Sequence, residues 1–333
     1  MAYRQLFLQN LELNESNFIK TRLGDHVSIE RFSGILAPVV TPFKDDLSPD
    51  IERFLNHCRW VKSQNANLAI FGTNSEANSL SVKEKIDLLE KLISSGISGD
   101  ALMPGTGCCS ISETVELTNA AVSLGCRGVL MLPPFYYKGV TDDGLFAYFS
   151  EVIERVNNDR LAIYLYHIPP MSQIPLSTDL VTRLVTDYPK AVVGIKDSSG
   201  DWKQTEAFNK LKLPNFRVFC GSESFLLQNM EAGGAGCISA TANVNSLAIN
   251  ELFLNWTIPG AAQKQKEIDE IRDIFQRYPM IPALKEAIAL NNEDAEWSRV
   301  RPPLVSLSQN QSNALKRQLE QVSFTMDNLF SKQ

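Results

Sequence analysis

The sequence predicts an α/β fold, a (β/α)8 TIM barrel followed by a C-terminal helical extension. From Gly34 onward, short apolar runs alternate with amphipathic segments of helical length, which is typical of repeated βα units on a parallel sheet. Eight such runs can be counted, the number that closes a barrel of this type. The 333 residues also leave room for a barrel of about 250 residues with extensions.

The short apolar runs predict the strands, and the amphipathic segments predict the helices. Strands are expected at 35–40, 68–71, 101–104, 128–132, 161–166, 191–196, 216–220 and 236–239. Helices between them are expected at 48–62, 81–94, 110–124, 142–156, 178–188, 202–211 and 224–232. Most of these helices begin at Ser, Thr or Asp, whose side chains cap free N–H groups of the first turn. Gly125 and the pair Gly233-Gly234 follow helix ends, where a left-handed cap favours glycine.

An open, doubly wound sheet is the alternative arrangement of eight strands. No Gly-x-Gly-x-x-Gly motif follows the first strand, which weakens the dinucleotide-binding version of that fold and favours closure. The chain then continues with helical patterns beyond those a barrel needs, at 244–256, 261–277, 281–290 and 309–330. The predicted domains are an N-terminal extension over 1–32, a catalytic barrel over 33–258 and a C-terminal helical extension over 259–333.

Composition and charge argue against several classes of partner. Apolar residues make up 44% of the chain and charged residues 21%, as in ordinary globular proteins. The net charge of -6 offers no cationic surface for nucleic acid or an anionic membrane, and no apolar run approaches the ~18 residues of a membrane span. The N-terminus lacks a basic start with an apolar stretch and carries acidic residues that transit peptides avoid. We therefore expect a cytoplasmic protein with no nucleic-acid and no membrane partner.

Cysteine and histidine usage predicts no metal centre. The six cysteines include no Cys-x-x-Cys pair, and the chain has three histidines, so metal-ligand spacing is absent. We expect most cysteines to be buried and reduced, while the adjacent Cys108-Cys109 pair leaves a redox site as an alternative. No metal and no cofactor is expected.

Lys196 is the candidate catalytic residue, because it ends an apolar run and is followed by the polar stretch 197–201. The run reads as a strand covered on both faces, which places the lysine at a carboxyl end, where barrel enzymes carry their chemistry. Apolar surroundings disfavour an ammonium and lower its pKa, and a neutral amine can attack a carbonyl. The alternative is a structural lysine that reaches solvent or pairs with Asp197.

Other strand ends carry hydroxyl groups that would meet this lysine. The second strand is followed by the Gly72-Thr73 turn, where backbone N–H groups and a hydroxyl could face an anion. The fourth is followed by Tyr136-Tyr137, and the fifth ends in Tyr166-His167. A phenol is a plausible proton donor and acceptor. His167 alternates with Tyr166 and is expected to be structural.

These motifs resemble the dihydrodipicolinate synthase and N-acetylneuraminate lyase family of class I, Schiff-base-forming aldolases. The resemblance covers residues 32–330. It is carried by Gly72-Thr73 with Glu76, Tyr136-Tyr137, Tyr166-x-x-Pro169, Gly194-Ile195-Lys196-Asp197 and the segment 236–243. Several ordered motifs at the expected strand ends are more specific than any one of them.

The resemblance implies a role for each matched residue. Lys196 would condense with the ketone of pyruvate or another 2-oxo acid, and Tyr166 would move protons at the imine. Thr73 would link Tyr166 to Tyr137, which would reach in from a neighbouring subunit of a homotetramer or dimer. The residues implied to bind the substrate carboxylate or line the pocket are Gly72, Thr73, Asn74 and Ile238.

Departures from the family pattern bear on the substrate. Where dihydrodipicolinate synthases usually have an arginine after Tyr-x-x-Pro, this chain has Met171, so a carboxylate-bearing aldehyde would lose a clamp. Asn74 and Ser75 replace the usual residues of the turn after Thr73. Glu223, after the seventh strand, could bind substrate hydroxyls. We therefore predict a lyase, an aldolase or hydratase-aldolase, that acts on pyruvate or a substituted 2-oxo acid.

Three alternatives remain open at this stage. One is a 4-hydroxy-tetrahydrodipicolinate synthase that condenses pyruvate with aspartate semialdehyde. Another is a barrel that binds a 2-oxo acid without turnover, which would have no need of a proton relay. The third is a phosphate-binding barrel isomerase, for which Gly221 and the run 233–236 are weak signals.

Overall fold

The computed structural model describes residues 30–326. Within them, parallel strands form one curled sheet in the order β2-β1-β7-β6-β5-β4-β3. The strands are β1 Gly34–Ala37, β2 Asn67–Leu68, β3 Val129–Met131, β4 Ile163–His167, β5 Val192–Asp197, β6 Arg217–Cys220 and β7 Gly236–Ile238. The predicted first strand ends early, at Ala37, and is followed by Pro38, which has no N–H to donate to a ladder.

The predicted third strand closes the sheet into a barrel, although it forms bridges rather than a regular strand. On one side, the Met103 N–H donates to the Leu68 carbonyl at 2.8 Å. On the other, the Leu130 N–H donates to the Pro104 carbonyl at 2.9 Å. A Cβ at Gly105 would overlap the Phe71 carbonyl oxygen, so glycine permits this close approach. The prediction of a (β/α)8 barrel is confirmed.

Helices follow the strands and cover the outside of the sheet. They are α1 Ile51–Ser63, α2 Val82–Ser94, α3 Ile111–Ser123, α4 Asp142–Val156, α5 Pro169–Ser172, α6 Thr178–Asp187, α7 Trp202–Lys210, α8 Leu226–Glu231, α9 Ser246–Leu254, α10 Ala261–Gln276, α11 Met280–Asn292 and α12 Gln309–Gln321. Among the described residues the last helix ends at Gln321, since Val322, Ser323 and Thr325 are poor helix formers. The predicted helical residues 327–330 lie outside the described part of the chain. No helix among residues 30–326 has the length and apolar character needed to cross a membrane.

Two apolar layers surround the sheet, one inside the barrel and one between the strands and the helices. Tyr164 fills the barrel interior, and its hydroxyl accepts a hydrogen bond from the Phe32 N–H at 2.9 Å. Cβ atoms at Gly128 or Gly194 would lie within 2.7 Å of its ring. Because strand side chains alternate, Tyr166 also faces inward, at the carboxyl end of β4. The packed interior therefore forms the floor beneath the candidate site.

Candidate active site

Strand register brings Lys196 and Tyr166 side by side, because they are paired residues of β5 and β4. The Lys196 Nζ donates to the Tyr166 hydroxyl at 3.3 Å and lies 4.3 Å from the centre of the phenol ring. The lysine is only 2% exposed. Lys196 takes part in no ion pair with the described residues, so its amine is directed to a phenol instead of a carboxylate.

Asp197 is not the partner of Lys196, although it is the next residue. Its carboxylate accepts hydrogen bonds from the Ser199 N–H and hydroxyl, each at 3.0 Å. It also accepts from the Thr205 hydroxyl at 2.5 Å. These contacts anchor the loop after β5 and leave the Lys196 amine available for chemistry.

Thr73 extends this contact into a chain of three groups. It begins the short turn Thr73–Ser75 after β2, and its hydroxyl lies 3.1 Å from the Tyr166 hydroxyl. The Gly72 N–H donates to the Ser75 hydroxyl at 3.2 Å. The N–H groups of Thr73 and Asn74 have no partner among the described residues. Two free backbone donors beside the hydroxyl are suited to a carboxylate.

The turn that carries Thr73 is attached to the C-terminal helices by a buried ion pair. The Lys285 Nζ, on α11, lies 2.5 Å from the Glu76 carboxylate, and both side chains are fully buried. The other carboxylate oxygen of Glu76 accepts from the Arg301 N–H at 2.8 Å. Burial lowers the pKa of Lys285 to about 8, a decrease that the neighbouring Glu76 carboxylate opposes.

Lys196, Tyr166 and Thr73 share a cavity of about 220 Å³ at the carboxyl ends of the strands. Its wall includes Thr73, Asn74, Tyr166 and Lys196 together with residues of the loops after β5, β6 and β7. Among residues 30–326, no group of three or more His, Cys, Asp or Glu side chains is arranged to hold a metal ion.

One residue of this wall, Arg272, was not foreseen from the sequence. It lies on α10, and its NH1 group donates to Glu223 Oε2 at 3.3 Å and to the Ser239 hydroxyl at 3.2 Å. In the sequence it is one charge among many on an amphipathic helix, which is typical of a solvated face. Only the packing of α10 against the barrel brings it to the cavity.

The structure places the remaining predicted site residues elsewhere. Glu223 is only 1% exposed, and its carboxylate accepts from Ser239 and Thr241 as well as Arg272, so it is not a free group at the mouth. Ile238 is buried in the inner layer. Met171 is 66% exposed and Tyr137 75%, and neither belongs to the cavity wall within the chain.

His167 has the structural role that its alternation with Tyr166 predicts. Its Nδ1 accepts from the Leu176 N–H at 3.0 Å, and its ring packs edge-on against Phe208 at 5.4 Å between centres. Burial lowers the pKa of His167, against the opposing effect of Asp197. The histidine faces the helices and not the cavity.

Comparisons with known proteins show similarity over most of the chain. The model of the dihydrodipicolinate synthetase family matches residues 31–322. An uncharacterized DapA-like lyase of Chloroflexus aurantiacus is 30% identical over 292 residues, which are 87% of this chain and 96% of that protein. A crystal structure of dihydrodipicolinate synthase from Agrobacterium tumefaciens is 30% identical with a TM-score of 0.81, covering 87% of this chain and 99% of the other. YagE of E. coli K12, solved with pyruvate, is 26% identical with a TM-score of 0.82, covering 89% and 100%.

Proposed function

Because the chain belongs to the dihydrodipicolinate synthetase family and is a lyase of the class I aldolase type, we propose that Lys196 is its imine-forming residue. The observation that carries this proposal is a buried amine held 3.3 Å from a phenol, with no counter-ion among residues 30–326. The substrate is pyruvate or a substituted 2-oxo acid. YagE, which is similar over its whole length, was solved with pyruvate.

The chemistry begins with attack of the Lys196 amine on the ketone carbon. A C–N bond forms, and the ketone oxygen leaves as water. The iminium then accepts the electron pair of the bond that breaks at the adjacent carbon, which gives an enamine. Tyr166 lies next to the amine and supplies the proton that the departing oxygen needs. The hydroxyl of Thr73 hydrogen-bonds to that phenol and serves as the next group of the relay.

The carboxylate of the 2-oxo acid is assigned to the turn after β2. The Thr73 and Asn74 N–H groups have no protein partner among the described residues and lie beside the relay. Gly72 precedes them in an extended conformation, and Ile238 supports this end of the pocket from the inner layer. An anion held here would present its ketone to Lys196.

Tyr137 is assigned to a neighbouring subunit's site. It is exposed, lies in T-shaped contact with Tyr136 at 5.3 Å between ring centres, and does not reach Thr73 within its own chain. A homodimer is then the smallest active unit, and a homotetramer is the proposed assembly. A cytoplasmic location belongs to the same proposal.

Reductive trapping tests the assignment of Lys196. The protein is incubated with pyruvate and borohydride, digested and examined by mass spectrometry. We expect one reduced pyruvate adduct on the peptide that contains Lys196. Lys196→Met removes the amine and should give no adduct there.

Tyr166→Phe is the matched control, since it keeps the amine. It should still be trapped but lose turnover by about two orders of magnitude, as expected when a general acid is removed. An unmodified wild-type protein under saturating pyruvate, or an adduct on another lysine, would overturn the proposal.

A further inference from the structure

The cavity that contains Lys196 has one other cation in its wall, Arg272. Met171, at the position where relatives were expected to carry an arginine, is exposed and outside the cavity wall. The guanidinium comes instead from α10, in the C-terminal part of the chain. A positive group therefore faces the site from a different element than the sequence pattern indicates.

Arg272 is held in place by one end of its guanidinium only. NH1 contacts Glu223 at 3.3 Å and Ser239 at 3.2 Å. The Glu223 carboxylate is itself fixed by the Ser239 and Thr241 hydroxyls. This network orients the arginine, because a carboxylate buried to 1% exposure with several donors has little freedom to move.

The rest of the guanidinium has no hydrogen-bond partner in the described part of the chain. Nε is buried without a hydrogen bond, and the structure gives NH2 none among the described residues. A guanidinium has five N–H donors and pairs well with carboxylates. Because Arg272 lines the cavity and its NH2 group has no protein partner among residues 30–326, that group is a prepared site for an anion.

We propose that Arg272 recognises a second acidic group on the substrate, separate from the 2-oxo carboxylate that the Thr73 turn binds. The preferred substrates are then 2-oxo acids with a carboxylate or similar oxyanion several bonds from the ketone. This inference rests on the proposed imine chemistry at Lys196. It makes Arg272 a specificity-determining residue and gives Glu223 the role of positioning it.

A matched pair of five-carbon 2-oxo acids tests this recognition. 2-Oxoglutarate has a distal carboxylate, whereas 2-oxopentanoate has a methyl group in its place. The measurement is the concentration of each acid that gives half-maximal borohydride trapping, with pyruvate as the reference. The wild-type protein should require less 2-oxoglutarate than 2-oxopentanoate.

Substitutions of Arg272 should affect only the dianionic acid. Arg272→Gln should raise the half-saturating concentration of 2-oxoglutarate about 100-fold, as expected for lost hydrogen bonds to a charged group. The values for pyruvate and 2-oxopentanoate should change by less than about 3-fold. Arg272→Lys should fall between the wild type and Gln, and it keeps the test valid if Gln impairs folding. Arg277→Gln, an exposed change at the end of the same helix, is the control and should have no effect.

The possible failures are distinguishable. If pyruvate does not trap on the wild type, the imine chemistry itself is wrong. If pyruvate traps normally but Arg272→Gln weakens all three acids equally, or none, the distal recognition is overturned. If Arg272→Gln lost pyruvate trapping selectively, Arg272 would be assigned to the 2-oxo carboxylate. That result would also overturn the recognition of a distal acidic group.

Discussion

Two buried lysines in this protein show how the surroundings of an amine decide its use. Lys285 lies 2.5 Å from Glu76 and also donates to the Arg299 carbonyl at 2.7 Å, so its donors are committed to structure. Lys196 is nearly as buried, but within residues 30–326 its amine makes one hydrogen bond and one ring contact, both with Tyr166. Each lysine follows apolar residues and precedes an acidic one in the sequence, and only their partners in the structure separate a structural amine from a nucleophile.

His57 should make the protein sensitive to mild acid. It is fully buried, its Nε2 contacts Asn243 at 3.2 Å, and burial lowers its pKa to about 4, compared with about 6.5 in an unfolded chain. Between pH 6.5 and 4 the unfolded state therefore takes up a proton that the folded state does not. The free energy of unfolding should fall by about 3 kcal/mol across this range through His57 alone.

Urea unfolding of the wild type and His57→Gln at pH 7 and pH 4.5 measures this contribution. The variant should be less stable at pH 7 but lose less stability on acidification. His167→Asn is the control. It retains His57, so the decrease in its free energy of unfolding between pH 7 and pH 4.5 should still include the contribution of His57. Equal pH dependence in the wild type and His57→Gln would contradict the prediction.

At the scale of elements, the turn after β2 depends on the C-terminal helices. Glu76 has a positive φ of 55°, and its carboxylate joins this turn to Lys285 on α11 and to the Arg301 N–H. The turn also carries Thr73, so α11 fixes one end of the candidate relay. The C-terminal extension is thus part of the site's support in addition to covering the barrel.

Breaking one side of this pair should be more damaging than replacing both. Glu76→Gln leaves a buried ammonium without its carboxylate and should lower the free energy of unfolding by about 3 to 5 kcal/mol. The double variant Glu76→Gln with Lys285→Met should lose less than the sum of the two single changes, measured by urea unfolding. Glu206→Gln is the comparison, since its i,i+4 pair with Lys210 is largely exposed and should be worth about 0.5 kcal/mol or less. Strict additivity of the Glu76 and Lys285 effects would show that the two groups do not act as a pair.

The elements that could be predicted are those whose sequence pattern is local, within a few consecutive residues. The apolar runs around 161–166 and 191–196 identified β4 and β5, and the alternation in β4 correctly separated Tyr166 from His167. The segment 101–104 was placed correctly in the barrel, but its bridged form depends on Gly105 fitting against Phe71. That contact joins two segments that are distant in the sequence, and sequence periodicity carries no information about it.

The sequence predicted the candidate site less well where side chains from different secondary-structure elements contact each other. Glu223 was expected at the cavity mouth, yet hydroxyls from the segment after β7 and a guanidinium from α10 enclose it. Arg272 was missed for the same reason, since α10 reads as an ordinary amphipathic helix. Strand-end residues share an edge by topology, whereas helix-borne residues reach the site only through tertiary packing.

At the scale of the whole molecule, the described chain leaves one predicted catalytic group outside its own site. Tyr136 and Tyr137 are 74% and 75% exposed and pack against each other. Large exposed aromatic side chains are enriched in interfaces between proteins. In a symmetric dimer, each chain would donate and receive the same residues, so one interface would complete two sites.

Mixing two inactive variants tests whether Tyr137 acts between subunits. Lys196→Met lacks the amine but retains Tyr137, and Tyr137→Phe lacks the phenol but retains the amine. If Tyr137 serves its neighbour, a mixed dimer has one complete site, and random mixing should restore about a quarter of wild-type turnover, because half of the dimers are mixed. If Tyr137 serves its own chain, no mixture contains a complete site and turnover stays at the level of the separate variants. Turnover is measured after the two proteins are dissociated and reassembled together, with each variant treated alone as the control.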